Sequence, residues 1–329
     1  MTVQDKEAGA AVEAQPAKNG FSLIPGEKLQ QLYITMLKCR ILEERVQSLV
    51  KQGTLHGSYA SLPGREAAVA GIVGDLTPED ALGLSDRDLA ASFVKGVPLE
   101  ELIRRIFGHG ANAEMESAST GQVGFASMNM LAPVNALSSR LGLSIKLAQA
   151  NKLDRNGKVA VVFCGDEPAA QDSWHEALKI ASRQELPIIF VFHSNFGGKT
   201  ESPEPPAKSG DNNTRAPGDE IPLIPVDGSD VVAVYRVASE SITRARKGSG
   251  PTIVECVSFG LEGKTAVSHA KQRLGQELSW RKAGDPIAKM EGYLTRKGLF
   301  SAGLSTQVCL EFNKELDAAI VLAEKLQRR

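Results

Sequence analysis

The sequence predicts an α/β fold, a doubly wound and mostly parallel sheet with helices on both faces. Three observations predict it. The segments KVAVVFC (158–164) and LPIIFVF (186–192) are apolar almost throughout, as strands buried on both faces are. Between them, residues 171–184 have helical spacing, with Trp174, Ala177, Leu178 and Ile180 on one side. Strand, helix and strand with short links form a βαβ unit, and candidate strands at 221–226 and 252–258 flank a candidate helix at 229–247.

The remaining elements follow in chain order. Residues 1–25 are expected to form a flexible tail. The first 19 carry acids and no apolar stretch, which excludes a secretory signal or a typical transit peptide and leaves the cytoplasm as the expected compartment. Residues 26–329 are expected to form a single α/β domain with a C-terminal helical extension. Leu29, Leu32, Met36, Leu37, Ile41, Val46 and Leu49 recur at three- and four-residue steps, predicting a helix over 26–52 that ends at Gly53. A second helix is predicted from Arg65 to Val73, then the turn-rich DLTPED (75–80) and a short strand at 81–85. Pro98 opens a helix with Glu100 and Glu101 in its first turn, where acids complement the helix dipole. The small, polar residues 109–127 form a long loop, followed by a helix over 136–151. Residues 196–220, rich in Pro, Gly and charge, and residues 260–276 are the other irregular stretches. The chain reads as helical from about 285 onward.

Composition narrows the function. With 38 basic and 39 acidic residues the formal charge is −1, and no basic excess points to nucleic acid or an anionic membrane. No apolar run approaches the roughly 18 residues that span a bilayer. Cys39, Cys164, Cys256 and Cys309 form no CxxC pair and sit in apolar or helical segments, so reduced structural thiols are expected rather than a disulfide framework.

In an open parallel sheet, ligands collect beyond the carboxyl ends of the strands. Two such ends draw notice: Cys164-Gly165-Asp166-Glu167-Pro168 and His193-Ser194-Asn195-Phe196-Gly197-Gly198. Asp166 offers a carboxylate, Asn195 an amide oxygen and Gly197 a carbonyl. These are hard oxygen ligands of the kind magnesium takes while keeping positions open for phosphate oxygens. The plainer alternative is that Asp166 caps the following helix and Asn195 makes a turn.

The segment GDEPAAQDSWHEALKIASRQELPIIFVFHSNF (165–196) resembles the cofactor motif of the α subunits of thiamine-diphosphate-dependent 2-oxo acid dehydrogenase decarboxylases, which begins Gly-Asp-Gly and ends Asn-Asn. Further segments are similar to that family in order and spacing from about residue 29 to 300: GREAAVAG (64–71), Asp86-Arg87-Asp88, VDGSDV (226–231), GPTIVE (250–255) and GDPIA (284–288). The resemblance implies that Asp166, Asn195 and Gly197 bind magnesium and that Arg87 meets the diphosphate, for which a guanidinium fork is suited. It also places Gly165, Glu167 and Lys264 at the cofactor. Lys264 and His193 are the candidate catalytic groups. The implied partners are a β subunit, in an α₂β₂ heterotetramer, and a lipoyl-bearing acyltransferase. The implied reaction is oxidative decarboxylation of a 2-oxo acid, or cleavage of acetoin, with transfer of the acyl group to the lipoyl partner.

The sequence departs from the family pattern at several positions, among them Asp86, where the family has tyrosine before its arginine, and residues 109–127, where the family's Lys-Gly-Gly-Ser-Met-His loop has no clear counterpart. Glu167 stands where the family has glycine, Ser194 where it has the first asparagine, and Gly263-Lys264-Thr265 where it has Gly-His-Ser. A carboxylate beside a diphosphate repels it unless it turns away or joins the metal shell. These departures motivate a second reading, a homologue that keeps the fold but serves as a structural or regulatory subunit.

Overall fold

Apolar runs with β-branched residues become strands here because parallel pairing buries both of their faces. The computed structural model describes residues 24–55, 64–85, 88–107, 129–131, 136–165, 172–195, 221–258 and 284–327. Its strands are β1 (Ala81–Gly83), β2 (Ala160–Phe163), β3 (Ile188–Asn195), β4 (Leu223–Asp227) and β5 (Thr252–Ser258). They form one sheet in the order β1-β2-β3-β5-β4, and every pairing is parallel.

The helices among the described residues are α1 (Gly26–Lys51), α2 (Glu66–Val73), α3 (Leu89–Val94), α4 (Leu99–Ile106), α5 (Leu137–Asp154), α6 (Asp172–Arg183), α7 (Val231–Arg246), α8 (Pro286–Arg296) and α9 (Ala302–Gln327). Two layers of them cover the sheet. Ala160, Val162, Ile188 and Phe190 face α5 and α6, through Leu141, Ile145, Trp174 and Leu178. The alternate residues Val161, Phe163, Ile189, Val191 and Val254 pack into the opposite core with α1, α2, α4, α7 and α9. The expected doubly wound architecture is therefore present. Its handedness also makes sense of the layers. β2 to β3 steps one way across the sheet and β4 to β5 steps back, so right-handed crossovers put α6 and α7 on opposite faces.

α2 sits inside the second layer, with all eight of its residues buried. Its small side chains allow a close crossing with α7. A Cβ built on Gly71 would lie 2.7 Å from Val234 Cγ1, closer than packed atoms approach, so only glycine fits there. The one charge in α2, Glu66, is 2% exposed. It receives the Arg40 guanidinium of α1 and, at 3.0 Å, the Gly64 amide. Arg40 also donates to Asp285 at 3.0 Å, and Asp285 caps α8 through the Ile287 amide. One ion network thus ties α1, α2 and α8 together.

At the amino ends of the strands a second network closes the sheet. Asp80, with 0% exposure, precedes β1. Its carboxylate accepts both arms of the Arg246 fork, at 3.0 and 2.6 Å, from the end of α7. It also accepts the Val159 amide at the start of β2 and the Thr77 amide and hydroxyl. Arg246 donates further to the Gly157 carbonyl at 2.8 Å. Nearby, Lys95 reaches the Thr77 carbonyl, and Lys152 of α5 reaches the Gln184 carbonyl at the end of α6.

Three expectations need adjustment. α3 lies in a segment to which no helix was assigned. β3 runs on through His193, Ser194 and Asn195, because these residues pair with Cys256, Val257 and Ser258 of β5; Asn195 is a strand residue and not part of a turn. The C-terminal region is two helices joined at 297–301. Cys39, Cys164, Cys256 and Cys309 are all free thiols, as expected, with Cys309 half-buried and the others buried. Among the described residues no helix is long and apolar enough to cross a membrane.

Candidate active site

The carboxyl ends of β2 and β3 lie side by side, and their pairing continues past the regular strands. The Cys164 amide donates to the Val191 carbonyl at 2.7 Å, and the His193 amide donates to the Gly165 carbonyl at 3.0 Å. Gly165 is thereby held beside His193. Its φ of 86° lies in the left-handed region, and a Cβ built on it would meet nothing within 4 Å. Glycine is needed at this turn for its backbone conformation, and among the described residues the space above it is open.

His193 projects to the α2 side of the sheet. It is 2% exposed, and its ring stacks against Phe163 with centroids 6.2 Å apart and planes at 29°. Among the described residues its Nδ1 has no hydrogen-bond partner. Burial drives its pKa well below the ordinary histidine value, and the charge of Arg65 adds to the shift. The imidazole is therefore neutral near pH 7, with one N–H and one lone pair to offer. On the other face, near the amino end of α6, Trp174 is buried edge-on to Phe190 and Phe192. Its Nε1–H also lacks a partner among the described residues. These two buried polar atoms, one on each face of the sheet, are exceptions among the described residues to the rule that buried polar groups are satisfied.

The end of β1 adds a charged corner. Asp88 follows the two residues 86–87, and its carboxylate turns back to accept the Ser85 amide at 2.8 Å and the Ser85 hydroxyl at 2.6 Å rather than capping α3. Burial raises its pKa, while the Ser85 hydrogen bonds, Arg140 and Arg65 pull it down. Cys164, just past β2, and Cys256, within β5 opposite His193, are pushed up to about 12 by burial, so neither is a thiolate nucleophile at neutral pH.

Of the site residues expected from the sequence, Gly165 and His193 are brought into contact, and Asn195 lies two residues further along β3. Arg87, Asp166, Glu167, Gly197 and Lys264 lie outside the described residues. Among the described residues no three His, Cys, Asp or Glu side chains gather to hold a metal. The structure adds the charges of Arg65 and Arg140 near Asp88, two residues to which the sequence assigns no role. A buried charge such as Glu66 inside EAAVAGIV is a detectable signal, since an acid in an otherwise apolar helix must be paired. Arg140, in the polar-looking SSRLGLS, gives none.

Comparison with known proteins agrees with this architecture. The family model described as dehydrogenase E1 component matches residues 33–328. The α subunit of acetoin:2,6-dichlorophenolindophenol oxidoreductase from Bacillus subtilis (strain 168) is 30% identical over 284 residues, covering 85% of this chain and 84% of the relative. Pyruvate dehydrogenase E1 component subunit alpha-3, chloroplastic, from Arabidopsis thaliana is 27% identical over 323 residues, 95% of this chain and 74% of the relative. The pyruvate dehydrogenase E1 component subunit alpha of Staphylococcus aureus (strain MW2) is 29% identical over 314 residues, 92% and 80% of the two chains. A match that spans the sheet, both helical layers and the C-terminal helices assigns the chain to the dehydrogenase E1 component family, as a member of the α-subunit type.

Proposed function

We propose that this chain, as one domain over residues 26–329, is the α subunit of a cytoplasmic 2-oxo acid or acetoin dehydrogenase component, working with a β subunit in an α₂β₂ heterotetramer. The family is thiamine-diphosphate dependent. The described residues fit such a group. Among the described residues nothing stands within 4 Å of a Cβ built on Gly165, and the buried His193 Nδ1 and Trp174 Nε1, one on each face of the sheet, have no partner. The observation that carries the reading is the adjacency of the β2 and β3 ends, fixed by the His193–Gly165 hydrogen bond, in a chain of this family.

When bound, thiamine diphosphate supplies the electron sink for decarboxylation. The chain's own residues would anchor and shield it. In this reading Asp166 and Asn195 hold magnesium through their side chains and Gly197 through its carbonyl, and Arg87 and Lys264 neutralise the diphosphate. In the same reading Glu167, next to Asp166 in the chain, joins the metal shell or turns away from the phosphates. His193, being neutral, donates or accepts one hydrogen bond without adding charge. Acyl transfer goes to a lipoyl-bearing acyltransferase.

The test is calorimetric titration of thiamine diphosphate with magnesium into the chain co-expressed with its candidate β subunit. Saturable binding that Asp166→Ala abolishes is the expected result. A folded α–β complex that binds no cofactor would overturn the proposal and point to a non-catalytic subunit.

A further inference from the structure

The amino ends of the strands carry a second surface, at the end of the sheet opposite the candidate site. α5, α6 and α7 finish there, at Asp154, Arg183 and Arg246. The loops that follow these helices touch one another. Lys152 of α5 donates to the Gln184 carbonyl at 2.7 Å and lies 3.6 Å from the Glu185 carboxylate. A Cβ built on Gly250 would stand 3.8 Å from Glu185 Cα, and Arg246 reaches the Gly157 carbonyl at 2.8 Å. Between the ends of α6 and α7 lies a cleft of about 550 Å³, whose lining includes Pro222, Pro251, Arg244 and Glu185.

This surface is basic, in a chain whose formal charge is −1. Lys152, Arg155, Lys158, Arg183, Arg244 and Lys247 stand there against the acids Glu79, Asp154 and Glu185. Cations at helix carboxyl ends offset the helix dipoles, and Lys152 and Arg244 are occupied with the carbonyls of Gln184 and Ser249. Two features go beyond that purpose. Arg155 ends α5 with a φ of 50°, a left-handed cap that glycine or asparagine adopts at lower cost. Leu153, between Lys152 and Arg155, is 82% exposed, the highest value among the exposed large hydrophobic residues described. Dipole compensation calls for neither. Among the described residues the exposed side chains of Arg155 and Lys247 have no hydrogen bond or ion pair.

We propose that this surface docks an acidic segment of a partner protein, with Leu153 and the proline-lined cleft as its apolar seats. Complementary charge steers such a partner and fixes its register. A peptide fits better than a nucleic acid. The acids interrupt any continuous cationic track for phosphates, and the exposed large hydrophobics are leucine and valine, with no aromatic ring for a base to stack on. Docking here leaves the carboxyl ends of the strands open, so the inference does not depend on what binds there.

The experiment is fluorescence anisotropy of a labelled peptide, rich in Asp and Glu around a pair of leucines, titrated with the full-length chain in complex with its candidate β subunit. Saturable binding that weakens with rising salt is expected. The pair Arg155→Asn/Lys247→Glu should lower the affinity about ten-fold; asparagine suits the left-handed cap, so the unfolding midpoint should hold. Leu153→Ser should lower it about five-fold, as should serines in place of the peptide's leucines. Absence of saturable binding, or binding that ignores both the charge pair and Leu153, overturns the inference. Tighter binding of phosphatidylglycerol vesicles or of a single-stranded oligonucleotide than of the peptide, lost in the same charge pair, also overturns it and assigns the surface to a membrane or a nucleic acid instead.

Discussion

The two ends of the sheet are built on opposite rules. At the amino ends, Asp80 collects two arms of Arg246, two amides and a hydroxyl, so one buried carboxylate ties β1, β2 and α7 together. At the carboxyl ends, His193 and Trp174 keep buried polar atoms without partners among the described residues, and Asp88 sits where burial opposes its charge. Around Asp80 the polar groups are used on one another, with the Thr252 hydroxyl at the start of β5 a buried exception. The other end leaves them available, and that availability is what a ligand-binding end requires. Stability and chemistry are thus separated along the strand direction.

The largest test of this separation is Asp80→Ala. Removing the carboxylate strands a guanidinium and two amides and should cost about 3 kcal/mol in denaturant unfolding, the low end for a broken buried pair because Arg246 is partly solvated. Cofactor affinity of the folded complex should stay unchanged; a loss there would show that the two ends are coupled. Gly71→Ala probes the layer between them. The added methyl must displace Val234 or the backbone at Tyr235, and the unfolding free energy should fall by about 2 kcal/mol.

The smallest effect concerns His193. Folded His193 resists protonation because burial and Arg65 disfavour its charge, whereas the unfolded chain takes up that proton near pH 6.5. Its contribution to stability is therefore complete above that pH and is lost as the pH falls, at up to about 1.4 kcal/mol per pH unit. His193→Leu should flatten the stability profile between pH 6.5 and 5. An unchanged slope would mean that the ring is hydrated or paired in the folded protein, and the contrast between the two ends would weaken.

Legibility in the sequence followed the same division. The core strands and α6 were readable because a buried parallel strand must be apolar along its whole length, and an amphipathic helix must repeat. The last three residues of β3 were not, since His193, Ser194 and Asn195 are polar and their strand geometry comes from pairing with β5. Asp80 sits in a segment that looks like an ordinary turn; its partner Arg246 lies far along the chain, and no local pattern links them. The turn at Gly165 was legible from its place after an apolar run. The burial of Arg140 was not, because it depends on a glycine in another element.

The all-parallel sheet also has a consequence for how the chain is made. None of the described strands can pair with its sequence neighbour through a hairpin: Ala81 waits for Ala160, and Ile189 for Thr252 at the far side of α7. Each pairing closes a long loop before it gains a contact, which slows folding and prolongs exposure of bare strand edges. β3, the central strand, gains its second neighbour only when β5 has been synthesised, so during translation the nascent chain carries an incomplete sheet until close to the C-terminal helices.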